Sequence, residues 1–206
     1  MPKTLTTTPE ELLGPLTEVE RKKAPKQLYL AGDRSLFEGT TRVSVVGSRQ
    51  ASEEGKKRAA VLVKALVERG IVVVSGLAEG IDTVAHETAI RLGGRTTAIL
   101  GTSLDEVFPE TNRRLQERII EDHLAVSQFR PGTTTQRGNF PMRNRTMALL
   151  TDSTVIVEAG DKSGTLHQGW EALRLGRPLM LMESVAKDPA LSWPQEMMRY
   201  GAQVLT

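Results

Sequence analysis

The sequence predicts an α/β protein with a doubly wound, mostly parallel sheet and helices on both faces. Three observations predict it. Short apolar runs alternate with helix-period stretches through most of the 206 residues. The runs lack polar alternation, as expected of strands buried on both faces. Several of them stop abruptly in small residues, after which a helical pattern begins, which reads as strand, tight turn and helix N-terminus. In open sheets of this kind ligands collect beyond the carboxyl ends of the strands.

Composition narrows the function. Hydrophobic residues make up 39% and charged residues 25%, enough for a sizeable core. Aromatic residues are only 4%, few for a binder that relies on stacking bases. A formal net charge of +2 means that any nucleic-acid contact must come from a local cluster of cations. There are no cysteines, which removes thiol catalysis, disulfides and thiolate metal sites and fits a reducing compartment. No apolar run is long enough to span a membrane, and Met1 to Leu5 carry no signal-type apolar segment. A cytoplasmic protein without membrane contact is expected.

Residues 1–26 read as a lead-in. Thr8 caps a helix that has Pro9 in its first turn and Glu10 and Glu11 at its positive end. Arg21, Lys22, Lys23 and Lys26 form a basic run, read as a solvated linker in preference to a phosphate-binding arm. The main domain is expected over 27–183. It opens on a short edge strand at 27–33. The first full unit is strand 42–46, turn 47–50 and helix 51–69, stopped by Gly70. Strand 71–75 leads to a helix capped by Asp82 that runs to Gly93. A third strand, 96–100, precedes a helix over 113–122, and a fourth occupies 124–127. A long polar loop reaches Asn139, and Pro141 starts a helix ending near Leu150. Strand 154–157, helix 165–175 and strand 178–182 complete the domain. Residues 184–206 read as a tail packed on it, with a helix near 194–200 and a last strand at 203–205.

The strand-end turns carry the candidate site. Gly47, Ser48, Ser75 and Gly76 are small enough to let a phosphate reach bare backbone N–H groups at a helix start. Arg49 offers a planar fork of donors beside them. Arg143, Asn144 and Arg145 fall in the first turn of the helix begun by Pro141. Cations there oppose the helix dipole, which points to a bound anion. Lys162, Ser163, Gly164 and Thr165 form a Gly-rich turn that lacks the P-loop spacing yet could cradle a phosphate. Asp82 and His86 read as structural. His86, His123 and His167 have no metal-ligand spacing, so no metal is expected, and no cofactor. A general base would have to be Glu158, Asp161 or Glu171, which no spacing pairs.

These pieces, taken in order, resemble the DprA/Smf family of DNA-processing proteins. The resemblance runs from about Ala24 to Met182. It is carried by Gly32-Asp33, Gly47-Ser48-Arg49, Ser75-Gly76 through Gly80-Ile81-Asp82, His86, Gly101, Asn112, Phe140-Pro141-Met142-Arg143-Asn144-Arg145, Lys162-Ser163-Gly164 and Gly176-Arg177. It implies an extended Rossmann-like fold, a homodimer and binding of single-stranded DNA without catalysis. On this resemblance Arg49, the Ser75–Gly76 turn, Arg143, Arg145 and Lys162 face the DNA backbone. Two protein partners are compatible with it: a RecA-type recombinase and, for a stand-alone relative in a defence module, a toxin partner. Two details depart from the family pattern. Gln128 follows Ser127 where a Glu is usual, and Met182-Glu183 stand where Pro-Gly is usual.

The rival readings are a nucleotide-sensing protein and a LOG-type phosphoribohydrolase of the same superfamily. The second uses a Gly-Gly-x-Gly-Thr-x-x-Glu turn. Here Gln168 stands at the Glu position, and an amide cannot act as a carboxylate base.

Overall fold

A computed structural model describes residues 4–206. The first three residues of the expected lead-in lie outside the described residues. The chain in order forms β1 (Leu5–Thr7), α1 (Pro9–Leu13), α2 (Glu18–Arg21), β2 (Leu28–Gly32), β3 (Arg42–Gly47), α3 (Glu53–Val67), β4 (Val72–Ser75) and α4 (Ile81–Arg91). It continues with β5 (Thr96–Leu100), α5 (Arg113–Asp122), β6 (Leu124–Ser127), α6 (Asn139–Leu150), β7 (Ser153–Glu158) and α7 (Thr165–Arg174). The last elements are β8 (Leu179–Met182), α8 (Glu183–Ala186), α9 (Trp193–Arg199) and β9 (Gln203–Leu205).

Among the described residues the strands form one nine-stranded sheet in the order β1-β2-β6-β5-β4-β3-β7-β8-β9. All pairs from β6 across to β9 are parallel; the β1–β2 and β2–β6 pairs are antiparallel, so β2 alone runs against the other strands. The α/β class and the mostly parallel sheet agree with the sequence expectation. Strand 27–33 does not: β2 is not an edge. Leu5–Thr7, inside the expected lead-in, pairs with it on one side and β6 on the other. The two true edges, β1 and β9, have three residues each, short enough to limit edge-to-edge pairing.

Both faces of the sheet are buried, which explains the unalternating strands. Val46, Val72, Val74 and Ile156 face a layer holding Met147 and Leu150 of α6, Ala172 of α7 and Met197 of α9. Val43, Val45, Val73 and Val155 face Ala59 and Val63 of α3 and Ala85 and Ala89 of α4. Ile119 of α5 covers Ala98 and Ala125 on β5 and β6. α3 starts two residues later than the expected 51, where Ser52 caps it: Ser52 Oγ accepts the Gly55 N–H at 2.9 Å, with Glu53 and Glu54 in the first turn.

β3 is the switch point of the sheet. Its successor β4 lies on one side, and β7 lies on the other. The loops leaving β3 and β7 therefore part in opposite directions and open a crevice between the strand ends. The β3–β7 register also shifts there, between Val46 and Gly47, so that Gly47 pairs with Glu158. A shift of this kind re-aims the strand ends at the crevice.

Candidate nucleic-acid interface

The crevice is a cavity of about 610 Å³ lined by the β3 turn, the first residues of α4, the start of α6 and the turn from β7 into α7. Of the predicted residues, Gly47, Ser48, Arg49, Arg143, Asn144, Lys162, Ser163 and Gly164 line it. Their polar atoms are not equally available.

Arg49 and Lys162 are exposed, and neither has an acidic partner among the described residues. The Arg49 guanidinium lies over the Phe140 ring at 5.4 Å from its centroid, and the Phe108 ring packs against the same Phe140 ring with the centroids 5.4 Å apart. Stacking on an aromatic face orients the cation without neutralising it. Ser48 Oγ accepts the Gln50 N–H, and Ser163 Oγ accepts the Thr165 N–H, both at 3.2 Å. Each hydroxyl thus keeps its own proton to donate. Thr165 Oγ1 donates to the Gly47 carbonyl at 3.0 Å and ties the two turns together.

Arg143 differs from the expectation. α6 begins at Asn139, not Pro141, so Arg143 and Arg145 sit beyond its first turn. The anion that Arg143 meets is internal. Arg143 is 5% exposed and faces Asp82. Its Nη1 donates to the carbonyls of Gly76 and, at 2.8 Å, Ile99, and its Nε donates to Asn144 Oδ1 at 2.9 Å. Burial lowers its pKa, and Asp82 opposes that shift. Asn144 is occupied as well, its amide donating to the Gly164 carbonyl at 3.1 Å.

The Ser75–Gly76 turn is also corrected. Ser75 is fully buried and donates to the Val45 carbonyl at 2.7 Å. Asp82 does not cap α4, whose N-cap is Gly80; its carboxylate accepts the N–H groups of Gly76 at 3.1 Å and Ala78 at 3.3 Å. Burial, the largest effect, raises the Asp82 pKa against the pull of Arg143 and these N–H groups. Asn112 Nδ2 donates to the carbonyls of Leu77 at 3.0 Å and Ala78 at 3.4 Å. Asp82, Asn112 and Arg143 therefore cage a turn whose central residue, Leu77, has φ +59°. A branched side chain is rare in that region, and only surrounding contacts hold it there. A Cβ on Gly76 would strike the Arg143 guanidinium, so glycine is required for the cage to close.

Arg145 lies outside the crevice. It is turned to α7, where its Nε meets Glu171 Oε1 at 3.0 Å. The carboxylates considered as bases are likewise occupied. Glu158 accepts the Ser52 N–H at 2.9 Å and the Ser52 hydroxyl. Asp161 accepts the Ser192 N–H and hydroxyl, both at 3.1 Å. Glu171 binds Lys23, Arg145 and Arg174. Gln168 is fully buried among Ser44, Thr154, Asn144 and Ala148. Among the described residues no three His, Asp or Glu side chains are grouped to hold a metal ion.

Sequence reasoning missed Phe140 as the seat of Arg49, and His167, which lines the crevice from the first turn of α7. Phe140 carries a signal, since it directly precedes the Pro141 to Arg145 motif. His167 carries none.

The signature of the DNA recombination-mediator protein A family matches residues 6–206. The chain belongs to that family. It is 37% identical over 183 residues to the DNA processing protein DprA of Streptococcus pneumoniae, covering 89% of this chain and 64% of that protein. It thus spans less than two thirds of this relative's length. The X-ray structure of the S. pneumoniae DprA superposes with a TM-score of 0.84 at 33% identity, covering 99% of this chain and 71% of that one. A structure of DNA processing protein A from Helicobacter pylori, described for its single-stranded DNA binding mode, superposes at 0.82 with 27% identity over 98% of this chain and 91% of that one.

Proposed function

We propose that this DprA-family chain binds single-stranded DNA in the β3–β7 crevice, gripping backbone phosphates with little sequence preference. Arg49 and Lys162 supply the charge. Ser48, Ser163 and the backbone at Gly47 and Gly164 supply short-range donors. One observation carries the reading: two exposed cations without acidic partners converge on a crevice whose serines keep their protons. The H. pylori relative, whose structure is described for single-stranded DNA binding, supports the ligand class. The pathway that goes with it is DNA processing in recombination or natural transformation, with a homodimer loading a RecA-type recombinase in the cytoplasm. No helix of the described residues is long and apolar enough to cross a membrane. We read the site as non-catalytic because Glu158, Asp161 and Glu171 are all engaged away from the cavity.

The test is binding of labelled oligo(dT) at several salt concentrations. Two neutralised phosphates on a single strand give a log–log salt slope of roughly −1.4. Arg49→Ala and Lys162→Ala should each weaken binding and flatten the slope by about 0.7. Binding insensitive to salt and to both substitutions would refute the proposal. Release of free base from nucleoside monophosphates would favour the hydrolase instead.

A further inference from the structure

The loop from β5 to α5 presents one large apolar side chain to solvent beside the crevice. Phe108 is 47% exposed. An exposed phenyl ring by itself needs no ligand. Its surroundings set this one apart. The Phe108 ring packs on Phe140, the ring that seats Arg49, with the two planes inclined at 49°. Arg49, Phe108 and Phe140 also line one cavity of about 60 Å³ with Glu79 and Pro109. That space holds a few waters and is too small for a nucleobase, so a base reaching Phe108 meets its open side.

The loop holds the ring in place. Before Phe108, the Glu106 carbonyl accepts Thr102 Oγ1 and Gln116 Nε2, both at 3.1 Å. After it, Thr111 Oγ1 donates to Glu79 Oε1 and the Asn112 N–H to the Pro109 carbonyl, both at 3.0 Å. A ring fixed in advance loses little entropy when something stacks on it. The charges around it decide which part of a strand it meets. Glu79 is exposed and its partner is a hydroxyl, which leaves the carboxylate charge in place. A carboxylate repels phosphate, whereas Arg49 attracts it. Backbone is therefore drawn to Arg49 and kept from Glu79, and the uncharged part of the nucleotide is what fits against Phe108.

We infer that Phe108 is a base-stacking platform: the nucleobase next to the phosphate held by Arg49 lies against its ring. The inference rests on the reading of the crevice given above. It adds an apolar contact to a grip otherwise made of phosphate contacts. Every base has a π-face, so this contact leaves the binding sequence-tolerant. A single platform also fits a chain with only 4% aromatic residues.

The test compares two ligands. One is oligo(dT) of about 8 nucleotides, within the usual single-strand site size. The other is an abasic strand of equal length, which keeps the phosphates and lacks the bases. Phe108→Ala should bind oligo(dT) about 5- to 150-fold more weakly. It should bind the abasic strand as the wild type does, which also shows that the variant is folded. The salt slope should not change, because stacking releases no counterions. Phe108→Tyr should keep the wild-type affinity. Phe108→Leu, apolar but without a flat face, should behave as Phe108→Ala. Equal weakening of both ligands by Phe108→Ala overturns the platform, since the ring would then act only by propping Phe140 and Arg49. Unchanged oligo(dT) binding, or Phe108→Leu matching the wild type, overturns it too. Arg49→Ala separates the platform from the crevice. If it weakens both ligands while Phe108→Ala alters neither, only the platform fails. If it weakens neither, the crevice reading fails and the platform falls with it.

Discussion

At the scale of single residues, the site separates charge that is free from charge that is occupied. Arg49 and Arg143 both line the crevice, yet one stacks on Phe140 and the other is buried against Asp82 and two backbone carbonyls. No local pattern distinguishes them, because the partners lie 44 to 67 residues away along the chain. The cage on Leu77 follows the same logic. Asn112 Nδ2 is a donor to two carbonyls and to Thr83 Oγ1, which it meets at 2.9 Å. Asn112→Ala leaves those acceptors without their donor and releases a turn held at positive φ. We expect a loss of about 1–3 kcal/mol in urea unfolding, together with weaker oligo(dT) binding. Unchanged stability would mean that the cage does not hold the turn.

At the scale of elements, the crossing of the β3 turn by the start of α4 decides the shape of the crevice. Ile81 N–H donates to the Ser48 carbonyl at 3.2 Å, and Gly80, at φ +78°, lies against the Ser48 and Arg49 carbonyls. Gly93 offers an internal control. It has φ +70° but open space around a built Cβ. Gly93→Ala should lose about 1–2 kcal/mol, the cost of left-handed backbone alone. Gly80→Ala adds overlap with two carbonyls and should lose clearly more and displace Arg49, read as weakened DNA binding. Equal losses for the two variants would show that the crossing is soft. The helical stretch that begins near Pro141 is legible in sequence, but its start is not. Proline is acceptable anywhere in a first turn, and here Asn139 and Phe140 precede it. That two-residue shift removes the dipole argument for Arg143 and Arg145.

At the scale of the whole molecule, His86 reports global unfolding. It is fully buried, and burial, with smaller contributions from His123 and Arg143, lowers its pKa to about 3 from an ordinary 6.5. Thr96 Oγ1 donates to the Val73 carbonyl, so His86 Nδ1 donates to Thr96, and Nε2 has no partner. The folded state keeps the ring neutral, while the unfolded chain protonates it below about pH 6.5. The stability is therefore full above pH 6.5 and is lost as pH falls toward 3, at up to about 1.4 kcal/mol per pH unit. Urea midpoints of the wild type and His86→Gln, compared from pH 7 to pH 4, isolate this from the carboxylates. The wild type should lose more over that range; parallel curves would rule out the neutral buried ring.

The order of strands and helices, the burial of both sheet faces and the small strand-end residues were legible in the chain, because each depends on local propensity and on which side chains avoid water. So were Arg49 and Lys162, which follow a strand end and sit in a Gly-rich turn. What only the tertiary structure decided is which charges remain available. The carbonyls that occupy Arg143, the carboxylate that gathers Lys23, Arg145 and Arg174, and the strand from Leu5 to Thr7 that makes β2 internal all come from distant parts of the chain. A sequence displays its charges in a line, but whether a charge is neutralised depends on distances through space, which folding alone sets.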